Sequence, residues 1–155
     1  MLPTGTFFAC RVSESSMGEE KRPSILVVDD ETAVRELLKL QLAGAGYDVM
    51  MADDAIVAGR SLMATPPDLM IVDVNLPYLD GVDFVAALKA DTNIPQVTVI
   101  FMSGNAEVLE RARALGAPCL KKPFTGDQLL QVVHRELQLR PPSQRARLDY
   151  LSAST

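Results

Sequence analysis

Cysteine is scarce in this chain, and that already narrows its chemistry. Cys10 and Cys119 form neither a metal-ligand spacing nor a disulfide framework, so a reducing, cytoplasmic setting is expected. Long apolar runs are also missing. Residues 97–102, interrupted by Thr98, form one of the longest, far short of the roughly 20 residues a bilayer-spanning helix needs. The first twelve residues hold Phe7 and Phe8 but no basic start followed by an apolar core, which argues against a signal peptide. No excess of positive charge exists: the net charge of −5 speaks against general affinity for nucleic acid or an anionic membrane. Tryptophan is absent, while 48% apolar and 23% charged residues are ordinary for a globular chain. A length of 155 residues suffices for one domain with a buried core.

What is there is organised around Leu69-Met70-Ile71-Val72-Asp73-Val74-Asn75-Leu76-Pro77, followed by Tyr78-Leu79-Asp80-Gly81. Four apolar residues running into a carboxylate suit a strand buried on both faces, with Asp73 at the carboxyl edge where open α/β sheets place their ligands. The same alternation recurs along the chain. Ile25-Leu26-Val27-Val28 is a strand ending in Asp29-Asp30-Glu31, and a helix follows through Val34, Leu37, Leu38 and Leu42, closed by Gly44 and Gly46. Residues 47–52 form a second strand. Asp53 and Asp54 are candidate caps for a helix carrying Ile56, Leu62 and Met63, which Pro66-Pro67 ends. After the Asp73 strand come a helix through Phe84, Val85 and Leu88, a fourth strand over 97–102, and a helix opened by Ser103-Gly104-Asn105. That helix carries Val108, Leu109, Ala112 and Leu115 and stops at Gly116. Residues 117–121 form a short fifth strand, and Thr125 with Gln128 makes a capping box for a last helix to about Leu139. Residues 1–22 read as a disordered arm, with Met17 an alternative start, 23–140 as the folded domain, and 141–155 as a polar tail too short for an output domain.

Five strands alternating with five helices imply a parallel sheet covered on both faces, so the strand ends share one edge. Asp29, Asp30, Asp73, Ser103 and Lys122 therefore converge there. Crowded carboxylates repel, by roughly 4 kcal/mol for two charges about 4 Å apart at an effective dielectric near 20. Protonation, the lysine or a divalent cation relieves this, and hard oxygen ligands suit Mg²⁺. Asp73 is then both a candidate ligand and a candidate nucleophile toward phosphorus, giving an aspartyl phosphate.

This constellation closely resembles the receiver domain of two-component response regulators, of the stand-alone, chemotaxis-regulator-like kind. The pieces are Val27-Val28-Asp29-Asp30-Glu31, Ile71-Val72-Asp73-Val74-Asn75-Leu76-Pro77, Asp80-Gly81, Met102-Ser103-Gly104 and Lys121-Lys122-Pro123-Phe124, over about 24–139. The resemblance implies a flavodoxin-like fold with strand order 2-1-3-4-5 and Asp73 as phospho-acceptor. It implies Mg²⁺ held by Asp30 and Asp73 directly, by Asp29 through water and by the Asn75 backbone carbonyl. Ser103 would be the switch hydroxyl and Lys122 the partner of the phosphoryl oxygen, with a cis Lys122–Pro123 bond. The donor would be a phosphohistidine on a histidine kinase or histidine phosphotransfer protein in a phosphorelay. The readout would be a downstream target protein, with no nucleic acid bound by this chain itself, no membrane, and a monomer or weak dimer. The chain would not be an enzyme beyond its own phosphoryl transfer and autodephosphorylation.

Blander readings compete. Asp29-Asp30-Glu31 could cap a helix, Ser103 could merely open one, and Lys121 is assigned to solvent. The methionines, Met50, Met51, Met63 and Met70 among them, are read as core filler, His134 as a surface residue, and Arg135, Arg140, Arg145 and Arg147 as a solvated basic end. One departure stands out: where the family usually has Tyr or Phe three residues before the site lysine, this chain has Cys119. A thiol cannot copy the turning of a ring, so a different or weaker coupling, through Met102, Ser103 and the following loop, is expected, with Cys119 itself inert in the core. The alternatives are a phosphatase of haloacid dehalogenase type, which needs Asp-x-Asp after the first strand, and a flavin carrier, whose phosphate Asp29-Asp30-Glu31 would repel.

Overall fold

The computed structural model describes residues 22–139. The expected arm, apart from Arg22, lies outside the described residues, as do Cys10, Met17, Arg140, Arg145, Arg147 and the tail over 141–155. Five strands alternate with five helices: β1 Ser24–Val28, α1 Thr32–Gly44, β2 Asp48–Ala52, α2 Ala55–Ala64, β3 Leu69–Asp73, α3 Gly81–Ala90, β4 Thr98–Ser103, α4 Ala106–Arg113, β5 Cys119–Lys121 and α5 Gly126–Gln138. All strand pairs are parallel, in the order β2-β1-β3-β4-β5. The expected flavodoxin-like fold is the one found.

Continuous apolar strands sit here because both faces of the sheet are covered. Successive side chains point to opposite faces, so each strand feeds two cores. Leu26, Val28, Met70, Val72 and Phe101 pack under α2, α3 and α4, with Ala58, Leu62, Val85 and Ala112. Ile25, Val27, Leu69, Ile71, Ile100 and Met102 pack under α1 and α5, with Leu38, Leu42, Leu129 and Val133.

Helix starts follow local chemistry. Asp54 caps α2, Asp80 caps α3 and Asn105 caps α4, while Thr125 and Gln128 form the expected capping box on α5. Asp53 is therefore not a cap, and the α4 cap is Asn105, not Ser103, which remains the last residue of β4. Three apolar readings are corrected. The inward stripe of α2 is Ala55, Ala58 and Leu62, so Ile56 and Met63, each one position off that stripe, are exposed. Leu37 is likewise one position off the Val34, Leu38 and Leu42 stripe and faces solvent. Met63 is thus not core filler, whereas Met70 and Met102 are fully buried. Arg111 on α4 reaches across to Asp80 and Asp83 at the start of α3, 3.4 Å in each case, through exposed groups.

Gly81 fixes how closely α3 follows β3. Its N–H donates to the Val74 carbonyl at 2.8 Å, and a Cβ there would stand 2.4 Å from the Asp73 carbonyl oxygen and 2.9 Å from Val74 Cα. Both are backbone atoms that cannot swing aside. Gly81→Ala is therefore expected to lower the unfolding free energy by about 3 kcal/mol. Urea denaturation should show this as a lower midpoint at unchanged slope.

Candidate functional site

Three strand ends meet at one point. Asp29 follows β1 and is fully buried, and Asp73 ends β3 and is 3% exposed. Lys122 follows β5, and its Nζ lies 3.0 Å from Asp29 Oδ2 and 3.0 Å from Asp73 Oδ2. Each carboxylate is fixed by its second oxygen: Asp29 Oδ1 accepts the Glu31 N–H at 2.8 Å, and Asp73 Oδ1 accepts the Asn75 N–H at 2.9 Å. The lysine carbonyl-side neighbour Pro123 is joined through a cis peptide bond, as the resemblance implied. Lys121 is exposed and takes no part in this cluster.

Electrostatics follow from burial. Desolvation pushes the Asp73 carboxyl up to about 6, and the nearby Asp29 charge adds to this, while the Asn75 N–H and Lys122 pull the other way. Burial also works against the Lys122 charge, but its bonds to Asp73 and Asp29 outweigh that and hold its pKa above the ordinary lysine value. The ammonium therefore stays charged between two buried acids.

The remaining predicted residues lie around this core. Asp30 is exposed and forms, with Asp29 and Glu31, a group whose carboxylate oxygens lie within 4.8 Å of one another. The capping reading fails here, since Glu31 occupies the cap position of α1 without any side-chain cap bond. Asp30 and Asn75 line the same open crevice, together with Leu76, Pro77, Tyr78, Leu79 and Asp80. All donors around it are hard oxygens, with no cysteine or histidine among them, and that set fits Mg²⁺. Ser103 is fully buried at the end of β4; its hydroxyl accepts the Asn105 N–H at 3.1 Å, and its carbonyl accepts the Lys122 N–H at 2.8 Å. The serine and the lysine are thus tied to one another through the backbone.

Cys119 corrects one expectation. The thiol is half-buried, not enclosed in the core, with Sγ 3.7 Å from the Leu109 carbonyl and 3.6 Å from that of Ala117. Burial still raises its pKa, so the unreactive thiol form is favoured. His134 is exposed, as read from the sequence.

Two residues escaped the sequence reading. Arg35 donates from Nη1 to the Asp29 carbonyl at 2.6 Å and from Nη2 to Thr32 Oγ1, pinning the tip of β1. Nothing in its helical spacing marks it apart from other exposed arginines. Tyr78 has φ 70 and is 92% exposed, a combination that no pattern of apolar and polar residues announces.

Known proteins resemble this chain in sequence and in fold. Residues 25–134 match the family described as the response regulator receiver domain. The transcriptional regulatory protein PrrA of Mycobacterium leprae is 37% identical over 121 residues, covering 76% of this chain and 51% of that protein. The DNA-binding response regulator MtrA of Mycobacterium tuberculosis is 30% identical over 117 residues, again 76% of this chain and 51% of that one. The chain thus spans about half the length of the curated relatives it matches. Among solved structures, a putative response regulator from Chloroflexus aurantiacus superposes with a TM-score of 0.72 at 30% identity, over 76% of this chain and 99% of that chain. The chemotaxis response regulator CheY4 of Vibrio cholerae gives 0.69 at 28% identity, over 75% and 99%. Among the described residues no helix is long and apolar enough to cross a membrane. With a buried acid pair held by one lysine at the carboxyl edge of a 2-1-3-4-5 sheet, and the family match reaching into all five strands, the chain belongs to the receiver domains of two-component response regulators, which accept phosphoryl groups in signalling.

Proposed function

We propose that Asp73 accepts a phosphoryl group from a phosphohistidine on a histidine kinase or histidine phosphotransfer protein, and that a downstream target protein in the cytoplasm reads the phosphorylated conformer. The observation that carries this reading is the bridge from Lys122 Nζ to Asp29 Oδ2 and Asp73 Oδ2, both at 3.0 Å. It sets a cation beside a carboxylate that is held by burial and two hydrogen bonds in a fixed orientation.

Asp30, Asp73 and the Asn75 carbonyl, with Asp29 acting through water, would hold Mg²⁺. When bound, that ion supplies the positive charge that lets an anionic phosphoryl group approach carboxylates. In the transfer, an Asp73 carboxylate oxygen forms a bond to phosphorus as the phosphorus–nitrogen bond of the phosphohistidine breaks. The imidazole keeps the electron pair of the broken bond and leaves neutral, its proton on the other ring nitrogen. Negative charge moves from the Asp73 oxygen to the phosphoryl oxygens, and the Lys122 ammonium is placed to follow it. The Ser103 hydroxyl, at the neighbouring strand end, is the group placed to turn toward a phosphoryl oxygen. The chain's own chemistry ends with this transfer and its reversal by water, so it acts as a signalling module and not as an enzyme on outside substrates. Two conformers respond to the modification only as far as their contacts with it differ.

Incubation with acetyl phosphate and Mg²⁺ tests the acceptor. Intact-mass analysis should show a single phosphoryl addition, and borohydride reduction followed by peptide mapping should find homoserine at position 73. Label on another residue, or no label, refutes the assignment.

A further inference from the structure

We infer that Tyr78 is a docking residue for the protein that donates the phosphoryl group, a rigid aromatic anchor on the rim of the candidate site; this rests on the acceptor reading of Asp73. The partly exposed loop between β3 and α3 carries backbone hydrogen bonds of its own. Leu79 N–H donates to the Pro77 carbonyl at 2.8 Å, closing a three-residue turn around Tyr78, whose φ is 70. A hydrogen bond from residue i+2 to residue i with a positive central φ is the rare and strained hand of the γ-turn. For a bulky side chain the left-handed region is unfavourable, a cost that glycine would avoid.

Nothing in the fold offsets that cost through the ring. Tyr78 is 92% exposed, so the side chain buries no core surface. The loop is anchored on its far side by the Asp80 cap on α3 and by the close approach of Gly81 to the Asp73 carbonyl. A tyrosine is therefore presented to solvent on a hydrogen-bonded backbone turn, its ring free to meet a partner. Such aromatic residues are the ones that carry binding energy at protein interfaces.

Its place selects the partner. Tyr78 lines the crevice of about 480 Å³ that also holds Asp30 and Asn75, and the Asn75 N–H is bonded to the Asp73 carboxylate itself. Asp73 is 3% exposed, so a phosphohistidine side chain must be lowered into the site from a protein surface lying over its mouth. The rim formed by Leu76, Pro77, Tyr78 and Leu79 continues the site outward and is where that surface comes to rest. A small donor such as acetyl phosphate brings no protein surface to rest on this rim.

The test compares the two donors in wild type, Tyr78→Ala and Tyr78→Phe. Histidine-kinase catalytic domains from the source organism are autophosphorylated with ATP and profiled against wild type, and the fastest is kept as the protein donor. Tyr78→Ala should lower kcat/KM from that donor by about tenfold, chiefly through KM, while acetyl phosphate labels it at the wild-type rate. Tyr78→Phe should keep most of the transfer, since the ring and not the hydroxyl supplies the contact area. Equal kcat/KM for wild type and Tyr78→Ala overturns the inference, as does a matching fall with acetyl phosphate, which would mean the loop merely supports the site. Transfer from no kinase domain, with acetyl phosphate still labelling Asp73, also overturns it and leaves the acceptor reading standing. Failure of both donors to label Asp73 refutes the acceptor reading itself.

Discussion

Asp73→Asn is expected to take up no phosphoryl group from acetyl phosphate under conditions that label wild type to completion, and at the same time to be the more stable protein at pH 8. The first result follows from removing the nucleophile: an amide oxygen cannot form a lasting bond to phosphorus, and Asp29, fully buried, is not presented to a donor. The second follows from burial. The Asp73 carboxyl titrates near 6 in the folded chain against 3.8 when unrestrained, so the folded state binds this proton more tightly than the unfolded one. Its stabilising contribution is complete below about pH 4 and is lost as pH rises through 6. A shift of that size corresponds to on the order of 3 kcal/mol. Denaturant unfolding in chelator, from pH 4 to 8, should show the mutant gaining on wild type up to about pH 6 and levelling off above it, with other titrating groups cancelling in the difference. A mutant no more stable than wild type at pH 8 would mean that Lys122 compensates Asp73 fully.

Lys122→Gln is expected to have the opposite effect on stability. Its ammonium is shared by two buried carboxylates, and a neutral amide leaves both without a compensating charge. Breaking a buried pair of this kind costs about 3–5 kcal/mol. The loss should be greatest at neutral to alkaline pH in chelator and shrink toward pH 5, as Asp73 takes up a proton. Labelling by acetyl phosphate should fall by about 10²–10³-fold, the range for removing one preorganised charge-stabilising donor. Lys121→Gln provides the control, because its side chain is exposed on the neighbouring position, and it should change neither quantity. A rate loss without a stability loss would show that the ion pairs are weak in the resting protein and matter only in the transfer.

These effects trace back to residues whose placement could be read from the sequence to differing degrees. The strands were legible because each is a short apolar run closed by a polar residue, and parallel packing leaves such runs only one place to go. The acids, the serine and the lysine were legible for the same reason: each directly ends or follows a strand. Exact helix faces were less so. Ile56 and Met63, seven positions apart, mark an apolar stripe as regular as that of Ala55, Ala58 and Leu62, and only the close packing of the alanine stripe on the sheet turns them outward. The α4 cap could not be assigned from Ser103-Gly104-Asn105, where two residues have capping side chains; pairing of Ser103 with Lys121 in the sheet leaves the role to Asn105. The Arg35 contact and the Tyr78 turn depend on long side-chain reach and on a backbone angle, neither of which leaves a periodic trace.

Helix α4 is the shortest of the five described helices. The helix has eight residues, buries only Leu109 and Ala112, and is tied to α3 by Arg111 through two exposed ion pairs that water competes for at every moment. Such pairs are worth about 0–1 kcal/mol each and weaken with salt. The candidate site rests on buried strand ends, whereas this short segment leans on two solvent-screened ion pairs, so displacing that one helix would cost the fold little while the reaction centre stayed in place.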